Sequence, residues 1–429
     1  MVAATEHGRP RSGLGREFGK LWAASAFSYL GDSVALVAAP LLAATLTRDP
    51  ARVAGLVFAQ RLPWLLFALL SGALVDRLDR RRTMMAVALC RAALIGCLGV
   101  AVLLGRATLP LLYAVFFLLS TGDTLFDIAA VTVLPAVVPP ESLPRANARL
   151  AGVRTITSQF AGPPLSGFLF ATALALPFLF GAGGLAAAAV LIVALRGTFR
   201  VARADNAGPA NLRVEIMQGI GWLWRHRLLR TIALALALLD MTLLAQNAIM
   251  VLFVQERLGL GATGYGILLT TYGLGGVLGS LIAHRVITWL GPSRILRIAI
   301  CIEAGTPAVI ALSHTPYLVG AAFAIFGCHA IVWGALLTSL RQELTPAGLR
   351  GRVESAFEFI GAIGTAPGAL LGGLLASGLG LTAPFWLGAI VGVLLIPLVW
   401  STFSDATIAA AKKRSNAEHG SHDRENAQT

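Results

Sequence analysis

The residues that draw chemical attention are ionisable groups set inside long apolar runs. Asp32, Asp123, Asp127, Asp240 and Glu303 lead, followed by Glu358 and His329, with Arg61, Arg91 and Arg154 as the basic counterparts. A charge at the centre of a bilayer costs about 2.5–3.5 kcal/mol on insertion scales, which makes each of these a functional candidate. Burial disfavours the charged form of a carboxyl group, so such an acid holds a proton near neutral pH. Release of that proton when the surroundings become wet is enough to couple solute movement to proton movement. Asp32 is the first candidate for this role because it lies near half depth of its run. Asp123 is the second, ahead of Asp127, Asp240 and Glu303. Asp123 and Asp127 stand four apart and share a helix face. The bland alternative for each is a polar contact between helices. Arg61 and Arg91 are expected as partners of these acids. Asp127 and Arg154 lie near the same end of adjacent runs, which predicts a charge pair with a structural or gating role. Phe116, Phe117, Phe126 and Trp333 are expected to line a cavity for a large lipophilic solute.

The elements that must hold these groups are membrane helices. The chain of 429 residues is 56% hydrophobic and only 13% charged, against about 25% charged in soluble domains. Apolar runs recur at 21–47, 53–75, 83–104, 109–135, 150–174 and 177–199, and then at 230–254, 263–287, 295–313, 316–340, 353–377 and 382–403. Each approaches the roughly twenty residues that a helix needs to cross a bilayer. The runs do not alternate in polarity, which excludes a barrel. The expected fold is therefore an all-α membrane protein with about twelve transmembrane helices in two six-helix halves.

Basic residues orient it. Arg48, Arg52, Arg106 and Arg257 fall in connections on one side, and Arg61, Arg91 and Arg154 fall within runs; all the other lysines and arginines lie on the opposite side. The positive-inside rule puts that basic side, with both termini, in the cytoplasm of a multi-pass protein of the inner membrane. The expected organisation is a cytoplasmic tail at 1–20, a first half at 21–199, a linker at 200–229, a second half at 230–403 and a disordered cytoplasmic tail at 404–429. Within the linker Leu212, Ile216, Ile220 and Leu223 recur at helical spacing, with Trp222 and Trp224 beside Arg225 and Arg227. That pattern reads as a helix on the membrane surface, or as a partner-binding helix. Asp32 and Asp240, Gly72 and Gly279, Arg145 and Arg350, and Pro163 and Pro367 recur at nearly one offset, the mark of two parallel repeats.

The connection Gly72-Ala73-Leu74-Val75-Asp76-Arg77-Leu78-Asp79-Arg80-Arg81-Arg82 resembles the loop signature of the major facilitator superfamily, G-x-L-A-D-R-x-G-R-[KR]. Val75 replaces a small residue and Asp79 replaces the second glycine. The resemblance spans residues 18–403. The stretches SYLGDSVALVAAPLLAATLTRDP and RQELTPAGLRGRVESAFEFIGAIGTAPGALLGGLLA are similar to proton-coupled exporters of macrolides, other antibiotics and siderophores. The resemblance implies a gating loop of Gly72, Asp76, Arg77 and Arg80 that latches the halves in the outward-facing state. An acid at a helix end is also favourable against the N-terminus of a neighbouring helix.

Other function classes are excluded or demoted by what is missing. No phosphate loop of the form G-x-x-x-x-G-K-[ST] occurs, so energy must come from a gradient rather than from nucleotide. Cys90, Cys97, Cys301 and Cys328 lie in apolar runs without disulfide or zinc spacing, and the histidines are scattered, which argues against a membrane enzyme. The net charge of +13 sits in short connections rather than on a face or stripe, so nucleic acid is not expected. The expectation is a monomeric secondary transporter without metal or cofactor, exporting a small lipophilic molecule against a coupling proton. Transport of another small solute, or lipid flipping, is the alternative.

Overall fold

The computed structural model describes residues 14–67, 80–194, 212–346 and 349–402, with a few positions beyond. Its helices are α1 (Gly15–Leu46), α2 (Pro50–Phe67), α3 (Arg80–Leu103), α4 (Leu109–Val137), α5 (Leu143–Thr155) and α6 (Gly162–Thr172). They continue with α7 (Leu176–Val193), α8 (Leu212–Arg225), α9 (Arg227–Leu252), α10 (Ala262–Leu312), α11 (Pro316–Leu344), α12 (Arg350–Leu379) and α13 (Ala383–Thr402). There is no strand among the described residues, and eight of the described helices are long and apolar enough to cross a membrane.

Two elements need care in counting. α10 has 51 residues, which at about 1.5 Å per residue is more than twice the roughly 30 Å of a hydrocarbon core. It is broken at Gly291, whose φ of 74° and ψ of 163° leave the helical region. Glycine enters that region without a steric penalty, and Pro292 then starts the next helix with a φ already suited to it. α10 therefore makes two crossings. α5 and α6 make one crossing together, joined by a π-helical segment at Ile156–Ala161. The sum is twelve crossings, six before α8 and six after it, as the apolar runs require. α8 is the helix expected in the linker; residues 200–211 lie outside the described residues.

The connections are short and locally specified. Thr108 caps α4 by accepting a hydrogen bond from the Leu111 amide through its hydroxyl, with a proline in the first turn. His226 caps α9 in the same manner through Nδ1, accepting from the Leu229 amide. Trp222 stacks on that imidazole, so the cap also fixes the corner between α8 and α9. α8 packs against the start of α12: a Cβ on Gly219 would come within 2.1 Å of the Arg352 carbonyl oxygen.

The cores show how the halves are arranged. On the side away from the termini, one core runs through both halves, from Leu41, Leu42 and Phe178 to Phe253, Ile249 and Phe385. On the side of the termini there are two separate cores. One holds Phe18, Leu21, Met84 and Ile192 of the first half; the other holds Leu229, Leu296, Leu340 and Val399 of the second. The halves are thus joined at one face of the membrane and parted at the other.

Candidate functional site

Backbone contacts fix α1 at mid-depth. Gly31 lies against Gly181 of α7, where a Cβ would come within 2.8 Å of the Gly181 carbonyl oxygen. Ser33 donates to the Ser158 carbonyl at 3.1 Å, and Ser166 donates to the Val34 carbonyl at 2.7 Å. Asp32 therefore stands on a segment held from two sides, and Ser158 belongs to the π-helical segment of the fifth crossing, a type of irregularity that clusters at functional sites.

The side chains at this level form a three-residue cluster. Arg91 of α3 donates through Nη2 to Oδ1 of Asp32 at 2.6 Å, and the same nitrogen contacts Asp123 of α4. Ser28 donates to the other Asp32 oxygen at 3.4 Å. The Arg91 side chain is only 4% exposed, whereas Asp32 is 27% and Asp123 50% exposed. Gly122 makes the approach possible, since a Cβ there would press on the Arg91 methylenes at 3.1 Å. The geometry thus gathers two of the carboxylates singled out in the sequence around one of its intramembrane arginines. A fixed guanidinium shared by two accessible carboxylates is a unit in which neutralising one acid transfers the cation to the other.

Two further groups lie elsewhere, one between the halves and one within the second half. Asp240 of α9, Arg61 of α2 and Glu358 of α12 line one cavity of about 260 Å³ with Trp64, Arg341 and Phe357. Arg341 also pairs with Glu354 at 3.0 Å and lies 5.0 Å over the Phe357 ring. This cavity lies between α2 and α12 where the halves part. Nearer the joined face the same two helices touch, and a Cβ on Gly373 would come within 2.5 Å of the Ala54 side chain. Separately, Glu303 of α10 accepts or donates across 3.1 Å to Nε2 of His329 on α11. His329 sits in a run of rings from Tyr272 through Phe326 to Trp333.

The other residues expected at the site fall as follows. Arg154 places its guanidinium 5.6 Å over the Tyr29 ring; the Asp127 side chain, its expected partner, lies outside the described residues. Gly72, Asp76 and Arg77 also lie outside them, and Arg80 is described only as the first residue of α3. Phe116 is buried in the core shared by the halves. Trp333 lines a cavity of about 390 Å³ together with His329, and the two rings lie 5.8 Å apart at a tilt of 50°. The sequence reading missed the Glu303–His329 pair. Those residues lie 26 positions apart on different helices, and the only available sign was that both are polar within apolar runs.

A family model described as transmembrane secretion effector, of the MFS type, matches residues 15–424. An uncharacterized MFS-type transporter, y4rN of Sinorhizobium fredii, is 26% identical over 404 residues, covering 90% of this chain and 95% of that protein. The multidrug efflux pump Tap of Mycolicibacterium fortuitum is 25% identical over 371 residues, covering 83% and 88%. Among solved structures, a bacterial homologue of the iron transporter ferroportin superposes in its inward-facing state with a TM-score of 0.73 at 18% identity, covering 92% of this chain and all of that one. The outward-facing state of such a homologue gives 0.60 at 19% identity, covering 91% and 98%.

Proposed function

This chain belongs to the transmembrane secretion effector family of the major facilitator superfamily, and we propose that it exports a small lipophilic molecule in exchange for protons. It is a multi-pass membrane transporter and not an enzyme. The observation that carries the finer reading is the shared guanidinium: Arg91 held between Asp32 and Asp123 at mid-depth. Protonation of Asp32 removes one of the two negative charges facing Arg91, and the cation then rests on Asp123 alone. Loss of the proton to the other side restores the bridge. Such an exchange links the charge of the site to the arrangement of α1, α3 and α4 around it. Similarity to a multidrug efflux pump supports a lipophilic cargo. The distribution of arginines supports cytoplasmic termini, so that the parted face opens to the cytoplasm and the conformation is inward-facing.

The test uses proteoliposomes with a fluorescent lipophilic cation or macrolide and an imposed pH gradient. Wild type is expected to accumulate substrate in response to the gradient. Asp32→Asn is expected to bind substrate with similar affinity and to lose gradient-driven accumulation. Accumulation in Asp32→Asn that still follows the pH gradient overturns Asp32 as carrier, and a wild type driven by sodium alone overturns the proton.

A further inference from the structure

We propose that the second half carries a binding site for an anionic phospholipid, in a crevice between the second crossing of α10 and α13. The crevice consists of two stretches that meet at Cys301. Its end on the side of the termini is lined by Arg294, Arg297 and Trp400. It then runs past Cys301 to Gly305 and Ala308, flanked by Ile390 of α13. From Arg294 to Ala308 the helix rises about 21 Å at 1.5 Å per residue, which is the length of an extended fatty acyl chain.

Three observations assign the two ends. The first is charge and helix geometry: Gly291 breaks α10, Pro292 opens the following helix, and Arg294 and Arg297 stand in its opening turns. Two guanidinium groups and the positive end of the helix that Pro292 opens lie at one end of the crevice, an arrangement that favours a phosphate. The second is an unsatisfied donor. Arg297 Nε is buried without a hydrogen-bond partner, while the guanidinium carbon lies 5.2 Å over the Trp400 ring. A buried charged donor left without an acceptor is costly, and a headgroup oxygen supplies one. The third is the level in the membrane. Trp289 at 81% exposure and Trp400 at 42% bracket the arginines, as tryptophans do at the height of lipid headgroups.

The remainder of the crevice is apolar and open to the lipid. Ile390, Val393 and Leu394 are 55%, 55% and 68% exposed along its wall. Gly305 leaves its floor vacant, since a Cβ there meets nothing within 4 Å. A phosphate alone would use only the arginine end; a zwitterionic lipid offers a phosphate but brings a second cation beside the two guanidinium groups. A phospholipid whose headgroup carries net negative charge uses both. On the orientation proposed above this is the cytoplasmic leaflet, where basic pockets between helices bind such headgroups.

The experiment is native mass spectrometry of the purified full-length protein with added phosphatidylglycerol, phosphatidylcholine of the same chains, or glycerophosphoglycerol without chains. Wild type is expected to retain phosphatidylglycerol in preference to the other two. Arg294→Gln with Arg297→Gln is expected to weaken retention on the order of thirtyfold, from roughly a fivefold contribution per arginine near the surface. Gly305→Leu, at a position where an added Cβ meets nothing within 4 Å, is expected to weaken the lipid while leaving the arginines in place. Thermal unfolding in detergent alone checks that each variant is folded. Equal retention of phosphatidylglycerol by wild type and by the folded double arginine variant overturns the proposal. Equal retention of phosphatidylcholine reduces the crevice to a general lipid contact, and binding of the chainless compound with wild-type lipid affinity makes it a phosphate site; either result also overturns it.

Discussion

Nη2 of Arg91 lies 2.6 Å from Oδ1 of Asp32 and contacts Asp123 at the same time, although the three residues come from three different helices. The arginine is the buried member and the acids are the accessible ones. Arg91 thus serves two acids at once: its loss leaves two like charges face to face, whereas the loss of one acid still leaves the cation paired.

Removing Arg91 is therefore expected to do more harm than removing one acid. Arg91→Gln leaves two carboxylates facing each other without a cation, with a loss of about 3 kcal/mol in keeping with broken buried pairs. Asp32→Asn or Asp123→Asn leaves Arg91 one partner and is expected to cost less than half as much. Combining Arg91→Gln with Asp32→Asn should recover part of the loss. Thermal unfolding of the four proteins in one detergent measures the cycle, and strict additivity would show that the contact carries no coupling energy.

Gly373 presses α12 onto α2 at the joined face, with room for no side chain beside Ala54 and Ala51. Gly373→Val is expected to open that face, since overpacking costs about 1–3 kcal/mol. The cost falls only on the state in which the helices touch, so the population shifts toward the opposite one by roughly five- to a hundredfold. Spin-label distances between pairs placed on the two halves at that face should lengthen, with a matching shortening on the side of the termini. Unchanged distances in a folded variant would refute the assignment of this contact as a closure.

Arg48 and Glu256 also bridge the halves at the joined face, 3.5 Å apart, but their side chains are 67% and 42% exposed. Exposed pairs contribute about 0–1 kcal/mol. Glu256→Gln is thus expected to change the rate of transport by less than about threefold, and the small effect should vanish at high salt. A loss of transport as large as that of the Gly373 variant would show that charge, not close packing, holds this face shut.

The count of crossings and the polar groups within them were legible in the sequence, because hydropathy acts over twenty residues at a time and needs no knowledge of the fold. Arg91 was legible as a partner of acids because a guanidinium within an apolar run calls for a counter-charge. Which acids it takes was not legible. Asp32 and Asp123 lie 59 and 32 positions from it, and their meeting depends on how α1, α3 and α4 pack. Gly122, which admits the arginine, looked like any other glycine in an apolar run. Helix limits were displaced where a helix continues past the apolar stretch, as α1 does in starting at Gly15. Arg154 shows the opposite limit. Its place over the Tyr29 ring was not announced by its depth, and its expected partner Asp127 has its side chain outside the described residues.

The seam between the halves at the joined face includes Ala54 of α2, Ala248 of α9 and Ala369 of α12, packed together. Each uncovers little apolar area when the helices separate, and the hydrophobic cost of separation scales with that area. A seam of leucines in the same places would weld the two halves. At these three positions the seam is a smooth joint that costs little to open, and the larger residues of the shared core, Leu41 and Phe253 among them, carry the rest of the cost. One elementary charge crossing 100 mV releases about 2.3 kcal/mol, so a joint of this kind lies within reach of a gradient, whereas a welded one would not. The smallness of the side chains there sets how strong a driving force the protein needs.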